Sequence, residues 1–576
     1  MNILLSSLVF LPLLVAIIIL FLPASQQGWA KKLTIGTTFL QLLFSLYLTL
    51  SYQTDLLAWA GVNDYDQFQL AIRLPWFALD LGDFGTVRSD FSMALDGINI
   101  PMVLLTGIVM FVGAIAASDI KKKERGFYAL YLLLSGSIMG CFMALDFLLF
   151  YIFFEFMLLP MYFLIGIWGG KRREYAAVKF FIYTLFGSVL ILLVMLGLAT
   201  SVIDPMATAV KLGWAEQINQ VDATMIYKVQ QWLQAGKIEG ASLVKTFDMI
   251  SMFDARNYIP NSFLHPLSTY EFSGVALRVI AFWLVLVGFA VKLPVFPVHT
   301  WLPDAHVQAP TAISVVLAGV LLKIGGYGFI RIAYSIFPDI ATDFAWWIAL
   351  VGVFTIIYGA FVALGTHHMK RLIAFSSVSH MGFVVLGVAS GTIEGISGAI
   401  YQMFSHGIIS AMLFLVAGVL YSRTSTLGIY DYRGLAQKMP QYTVFTGIAF
   451  FAGLGLPGFS GFVAELFVFI GAFSSESVNG YIPNWMPILA AFGLILTAAY
   501  FLWTLQRMFL GKFELKENIE ESVLTDLTKR EWGLLLPLAI LALYFGLQPQ
   551  WLFNLMSASV EVFVGLLNTG GTAALN

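Results

Sequence analysis

Runs of about 20 nearly uninterrupted apolar residues recur along the whole chain, the length a helix needs to cross the hydrocarbon core of a bilayer. The first is MNILLSSLVFLPLLVAIIILFLP. About fourteen such runs can be laid out. Their cores fall near 3–23, 33–52, 98–117, 126–145, 147–168, 178–203, 273–293, 308–334, 343–364, 371–390, 395–421, 443–473, 486–510 and 533–554. Only 11% of the 576 residues are charged and 59% are hydrophobic, whereas soluble domains carry about 25% charge. The expected fold is therefore an all-α polytopic membrane protein. Its first cation is Lys31, beyond the opening run, so that run reads as a retained helix and not as a signal peptide with a basic start.

The single cysteine, Cys141, lies in the apolar stretch GSIMGCFMALD. It reads as a buried, inert thiol. No disulfide within the chain, Cys-x-x-Cys redox pair or Cys-ligated iron–sulfur cluster can be built from one cysteine.

Cations alternate between successive loops, as expected when each helix reverses sides and the cytoplasmic side is enriched in Lys and Arg. One set of loops carries Lys31 and Lys32, Lys121 to Lys123 with Arg125, Lys171 to Arg173, Lys370 and Arg371, Arg423 with Arg433 and Lys438, and Lys512, Lys516, Lys529 and Arg530. In the other set, cations are confined to the long stretches 53–97 and 204–272. This predicts both termini on the outer side. The stretch 204–272 is expected to form interfacial amphipathic helices on that face without a core of its own.

Two segments share a Leu-Pro-x-Phe pattern, KLPVFP at Lys292–Pro297 and GLPGFS at Gly455–Ser460. Proline removes a backbone donor and interrupts the helix. The segments fall in the seventh and twelfth runs, which would cross in opposite directions, as in an inverted repeat whose broken helices frame an ion site.

A charge at the bilayer centre costs about 2.5–3.5 kcal/mol on insertion scales, so charges kept there are functional candidates. Glu155, Lys292, Lys323, His380, His406 and Glu465 all lie within apolar runs. A carboxylate beside a buried amine strengthens its hold on a proton, and withdrawing the carboxylate weakens it. A Glu155–Lys292 pair that opens and closes is thus a switch. Lys323, His380 and His406 would pass the proton on through ordered water, and Glu465 would exchange it with bulk. The plainer alternatives are a static Glu155–Lys292 pair, histidines that merely pack helices, and Glu465 as a partner for freed backbone groups. Lys179 reads equally as an anchor or a relay member. The segment HTWLPDAH, with His299, Asp304 and His306, reads as a tight re-entry and not as a metal site.

The strings FFEFMLLPMYFLIGIWGGKRREYAAVKFFIYTLFGSVL, VKLPVFPVHTWLPDAHVQAPTAISVVLAGVLLKIGGYGFIR and HMKRLIAFSSVSHMGFVVLG resemble the antiporter-like membrane subunits of proton-translocating NADH:quinone oxidoreductase, complex I. Within that group the chain is most similar to the subunit M, or chain-4, type. Glu465 stands where the L, N and Mrp-type subunits have Lys, and the chain stops after the fourteenth run without the lateral helix of subunit L. The resemblance implies three N-terminal helices (1–125), inverted five-helix repeats at 126–334 and 343–510 with helices seven and twelve broken, and a C-terminal part at 511–576 holding helix fourteen. It implies Glu155 and Lys292 as an input ion pair, Lys323 as the central relay, His380 and His406 as connectors and Glu465 as the terminal exchanger. It further implies no redox centre in this chain, FMN and iron–sulfur clusters in partner subunits, L-like and N-like neighbours on either side, and a bacterial cytoplasmic membrane. The rival readings are a subunit of a multi-subunit Na+/H+ antiporter, a haem-bearing quinol oxidoreductase using His380 and His406 as ligands, and a purely structural subunit.

Overall fold

The computed structural model describes residues 2–23, 26–52, 68–517 and 519–568. The segment 53–67 of the first long loop therefore lies outside the described residues. Among those described, fourteen helices are long and apolar enough to cross a membrane. All but the last fall in runs expected from sequence. The seventh run, 273–293, forms a shorter helix, Leu277–Lys292, and beyond it, after a turn, a second helix, Trp301–Gln308, completes one interrupted crossing. The twelfth is likewise split into Pro440–Gly453 and Ser460–Val478.

The remaining helix, Gln550–Asn568, differs from the sequence reading, which carried the last span through to residue 554. The span instead ends at Leu547, ahead of Pro549. The new helix buries Leu552, Leu555, Met556, Ser559, Val560, Phe563, Val564 and Leu567, a single stripe at helical spacing. Ser559 Oγ accepts the Gly97 N–H at 2.9 Å. Its far end shares a small cavity with Asp96, Phe253, Arg331 and Ser335. Its middle and second half thus meet Gly97, Asp96 and Arg331 at the hairpin face, so the helix lies along that face.

The loop contacts sort into two faces that match the charge alternation. On one, a hairpin of strands Gln69–Asp80 and Thr86–Leu95 is joined by a third strand, Val244–Thr246. Isolated bridges there link Met93 to Ala144, Asp146 to Asp248, and Ile203 to Lys245. Arg73 ties the hairpin together by pairing with Asp90 at 2.7 Å and also with Asp204. On the cation-rich face, Arg530 pairs with Asp119 at 2.5 Å, Arg423 with Glu531 at 2.8 Å, and Lys516 with Asp431 at 3.1 Å.

The stretch 204–272 does form short helices, Pro205–Lys211, Ala223–Gln234 and Met249–Phe253, each started by an aspartate (Asp204, Asp222, Asp248) that accepts a backbone N–H of the first turn. It departs from expectation in holding a small core of its own, built on Ile203, Ala209, Val229, Leu233 and Leu243. Its strand pairing to the hairpin explains why: the segment folds down onto the protein instead of spreading on lipid.

At the centre, the helices Thr311–Tyr334, Met369–Ala389 and Ile393–Thr424 are almost wholly covered by protein. Cys141 is buried as expected, its thiol 3.8 Å from Phe150 O. Near the hairpin face Arg331 pairs with Asp96 and donates to Tyr327 OH at 3.1 Å. Asp96 also accepts the N–H groups of Ile98 and Asn99 at 3.1 and 2.9 Å, so one carboxylate closes the start of a span and neutralises a buried guanidinium. Removing one partner of such a pair strands the other charge, at about 3–5 kcal/mol. Asp96→Ala is therefore expected to lower the thermal midpoint of the purified assembly sharply, as measured by loss of its native gel band on heating.

Asp146, between two spans, accepts hydrogen bonds from Ser89 Oγ, Asp90 N and Leu149 N, each at 3.0 Å. Burial nevertheless raises its carboxyl from the ordinary 3.8 to about 7. Between those values the folded chain keeps a proton that the unfolded chain has released, so this group's contribution to stability falls as pH rises and then levels off. The thermal stability of the native protein relative to Asp146→Asn should accordingly decline between pH 5 and pH 7 and stay constant above pH 8; a difference that grows across that range would contradict it.

Candidate functional site

The two interruptions expose backbone groups that must find new partners, since hydrocarbon offers none. At the first, Leu293 N and Val295 N still donate to Phe289 O and Ala290 O, at 2.9 and 3.0 Å. Trp301 Nε1 donates to Val291 O at 2.9 Å, and Phe296 N to Thr355 Oγ1 at 3.3 Å. The break lies against the eighth span at Gly325, where an added Cβ would come within 2.5 Å of Leu293 N. At the second, Leu454 N and Leu456 N donate to Phe450 O and Phe451 O, at 2.8 and 3.1 Å. Both Leu-Pro-x-Phe segments thus mark real breaks.

Four of the six sequence candidates are brought into one line. The eighth span widens into π-type turns at Leu317–Leu321 and Phe329–Tyr334, a distortion that recurs at functional sites. Lys323, between them, is wholly buried. Its Nζ folds back to donate to Ala318 O and lies 2.8 Å from His406 Nδ1. The His406 and His380 rings are 5.5 Å apart, centroid to centroid. His380 Nδ1 is 3.2 Å from Glu465 Oε1, with the Gln402 side-chain amide at 3.3 Å. The second break adapts to this end of the line: Gly455 has φ +74°, and a Cβ there would stand 2.4 Å from Glu465 Oε2.

The other two candidates are not joined. The implied Glu155–Lys292 ion pair is open in this structure. Lys292 Nζ lies 4.8 Å over the Phe154 ring, and neither it nor Glu155 Oε1 has a hydrogen-bond partner. The Phe154 ring lies over the ammonium, and the Glu155 carboxylate acts on it through space without a hydrogen bond.

Lys179 pairs with Asp304 at 2.7 Å, which Arg371 also approaches at 3.6 Å, so it serves as an anchor at the cation-rich face. His299 packs against Tyr358, and His306 stacks on Phe414 at 4.4 Å. The HTWLPDAH side chains therefore point into separate surroundings. Two groups were missed by sequence reading. His306 is fully buried with neither ring nitrogen partnered, and Lys370, taken for a loop cation, is buried with Nζ donating to Ala309 O at 3.1 Å. Helical phase could have found His306, since it follows Leu302 by four residues and Trp301 by five, on the buried stripe.

An interrupted pair of oppositely directed helices flanking a buried Lys–His–His–Glu line defines the class of antiporter-like membrane subunits. The family described as NADH:quinone oxidoreductase/Mrp antiporter, TM matches residues 144–203 and 212–484. NADH-quinone oxidoreductase subunit M of Rickettsia conorii is 36% identical over 559 residues, 96% of this chain and 97% of that protein. NAD(P)H-quinone oxidoreductase chain 4 of Synechococcus sp. (strain JA-3-3Ab) is 38% identical over 547 residues, 95% of this chain and 90% of that protein. Among solved structures, a chain of respiratory complex I from Thermus thermophilus aligns with a TM-score of 0.74 at 28% identity, covering 98% of this chain and 99% of that one. A chain of the Mrp complex from Dietzia sp. shares the fold, with a TM-score of 0.73 at 20% identity over 99% of this chain and 98% of that one. The chain belongs to the NADH-quinone oxidoreductase subunit M (chain 4) family, the antiporter-like membrane-arm subunits of complex I.

Because Gly455 combines a left-handed backbone with direct approach to the carboxylate, Gly455→Val should displace Glu465. Holding a non-glycine residue in such a conformation costs about 1–3 kcal/mol. NADH:quinone turnover of the assembled complex is expected to fall in Gly455→Val to about the level of Glu465→Ala; a native rate in Gly455→Val would show that the approach is incidental.

Proposed function

We propose that this chain translocates protons through the line Lys323, His406, His380 and Glu465, driven by electron transfer in partner subunits. The observation that carries the reading is the 2.8 Å contact between Lys323 Nζ and His406 Nδ1 in a fully buried setting. Two titratable groups so close disfavour being charged together, so a proton arriving at one is handed to the other. The His380–Glu465 contact then offers the next acceptor. Moving a charge against 100 mV takes about 2.3 kcal/mol, which a modest change in proton affinity along the line can match.

Glu155 and Lys292 act as the input gate in this reading. Their separation here is the open position, and closing the pair brings the carboxylate onto the amine and strengthens its hold on a proton. The inverted repeats 126–334 and 343–510 each supply one interrupted helix. L-like and N-like subunits adjoin the chain on either side, and FMN and iron–sulfur clusters reside in other partners. The cation-rich face is cytoplasmic, which places both termini on the outer side of a bacterial cytoplasmic membrane. The Mrp likeness keeps cation/proton exchange as the second reading, supported by fold alone.

The test is the complex purified gently from membranes and reconstituted into liposomes. Flavin and iron–sulfur subunits should accompany the chain, and Lys323→Ala should reduce both quinone turnover and NADH-driven proton uptake by about tenfold or more, with NADH oxidation by ferricyanide unchanged. Copurification with other antiporter-like chains alone, or full pumping by Lys323→Ala, would overturn the proposal.

A further inference from the structure

Away from the buried line, an apolar groove of 430 Å³ opens between the helices Gly28–Leu50 and Lys529–Leu547, with Ile100–Ala116 as its floor. It runs from Ile115 and Gly533 to Leu104 and Tyr544. At 1.5 Å per residue that is ~16 Å, with Leu50 and Trp551 closing the end toward the hairpin face, a length that takes most of an acyl chain. The walls are almost entirely aliphatic and aromatic, as an acyl chain requires.

The mouth is different. All three helices that build the groove carry cations where they reach the cation-rich face: Lys31 and Lys32, Lys121 to Lys123, and Lys529 and Arg530. Lys31 Nζ reaches across to Ser118 O at 3.4 Å, and Arg530 grips Asp119 through two bonds of 2.5 and 2.6 Å. Lys31, Lys121 and Arg530 all act electrostatically on Asp119, so three cations face one carboxylate. Of the other carboxylates there, Glu531 is already held by Arg423 at 2.9 and 2.8 Å, and Glu124 adjoins the three lysines Lys121 to Lys123. The mouth therefore keeps a positive excess at headgroup level, beside Trp29, which is 54% exposed and stacked under Lys32 at 4.8 Å.

We propose that this groove binds an anionic phospholipid, with an acyl chain along Leu46, Ile108, Leu538 and Leu541 and the headgroup phosphate against Lys31 and Lys121. An apolar slot that begins about one helical turn below surplus positive charge fits that ligand in both parts. A neutral lipid satisfies only the slot, and a soluble anion only the mouth.

The experiment uses the whole complex, delipidated in mild detergent and moved into nanodiscs of phosphatidylcholine with increasing phosphatidylglycerol. Native protein should gain thermal stability as phosphatidylglycerol rises. The variant K31Q/K121Q, which leaves Arg530 on Asp119 and the groove walls intact, should need roughly thirtyfold more phosphatidylglycerol for half of that gain, because each of the two lysines near the anionic headgroup contributes about 1 kcal/mol. Ile108→Trp, which fills the groove, should abolish it. If Ile108→Trp fails to assemble, the lysine variant still decides, and equal responses in native and K31Q/K121Q complexes overturn the proposal. Photocrosslinking from a benzoylphenylalanine at Leu46 gives a separate readout: a phosphatidylglycerol adduct supports the site, and a crosslink to another subunit's helix overturns it.

Discussion

A helix that stops inside hydrocarbon leaves N–H and C=O groups with no solvent to receive them, and this constraint organises the centre of the molecule. The breaks after Lys292 and Gly453 persist because their freed groups find partners in Trp301, Thr355 and the preceding turns. Those partners demand close packing. Gly325 lets the eighth span touch the first break, and Gly455 lets the second break approach Glu465. The polar interior that results is also the only place where Lys323, His406 and His380 can lie at tolerable cost. Chemistry and backbone accounting are thus solved by the same helices.

The faces show a division of labour. The hairpin face is cross-linked by strand pairing and by the Arg73 bridges to Asp90 and Asp204, and the flat helix Gln550–Asn568 braces it further. The cation-rich face is tied by side-chain ion pairs between loops, several of them partly exposed, which individually contribute little. The hairpin face is thus joined chiefly through backbone pairing and the cation-rich face chiefly through side-chain ion pairs, of which Arg423–Glu531 is nearly buried.

Much of this was legible beforehand because bilayers impose simple rules. Apolar run lengths gave the spans, proline placement gave both breaks, and the scarcity of buried charge singled out Lys323, His380, His406 and Glu465, which do meet. What escaped was whatever depends on three-dimensional phase. The amphipathic stripe of 550–568 hid behind the preceding apolar run. The hairpin is a tertiary choice within a loop. Lys370 sat beside Arg371 in a cationic pair, yet only Arg371 faces outward. Whether Glu155 and Lys292 share a hydrogen bond depends on the relative rotation of two helices, which no spacing argument could decide; here the Phe154 ring lies over the ammonium.

The attachment of Lys323 to Ala318 O has a mechanical meaning. An ammonium and a neutral amine can both donate to a carbonyl, so the anchor survives loss of the proton. The side chain need not travel when its charge changes, and neither does the backbone that holds it. In the proposed relay the proton can then pass between Lys323 and His406 across a fixed 2.8 Å contact, so this part of the membrane arm needs no moving side chain, and any moving component lies elsewhere.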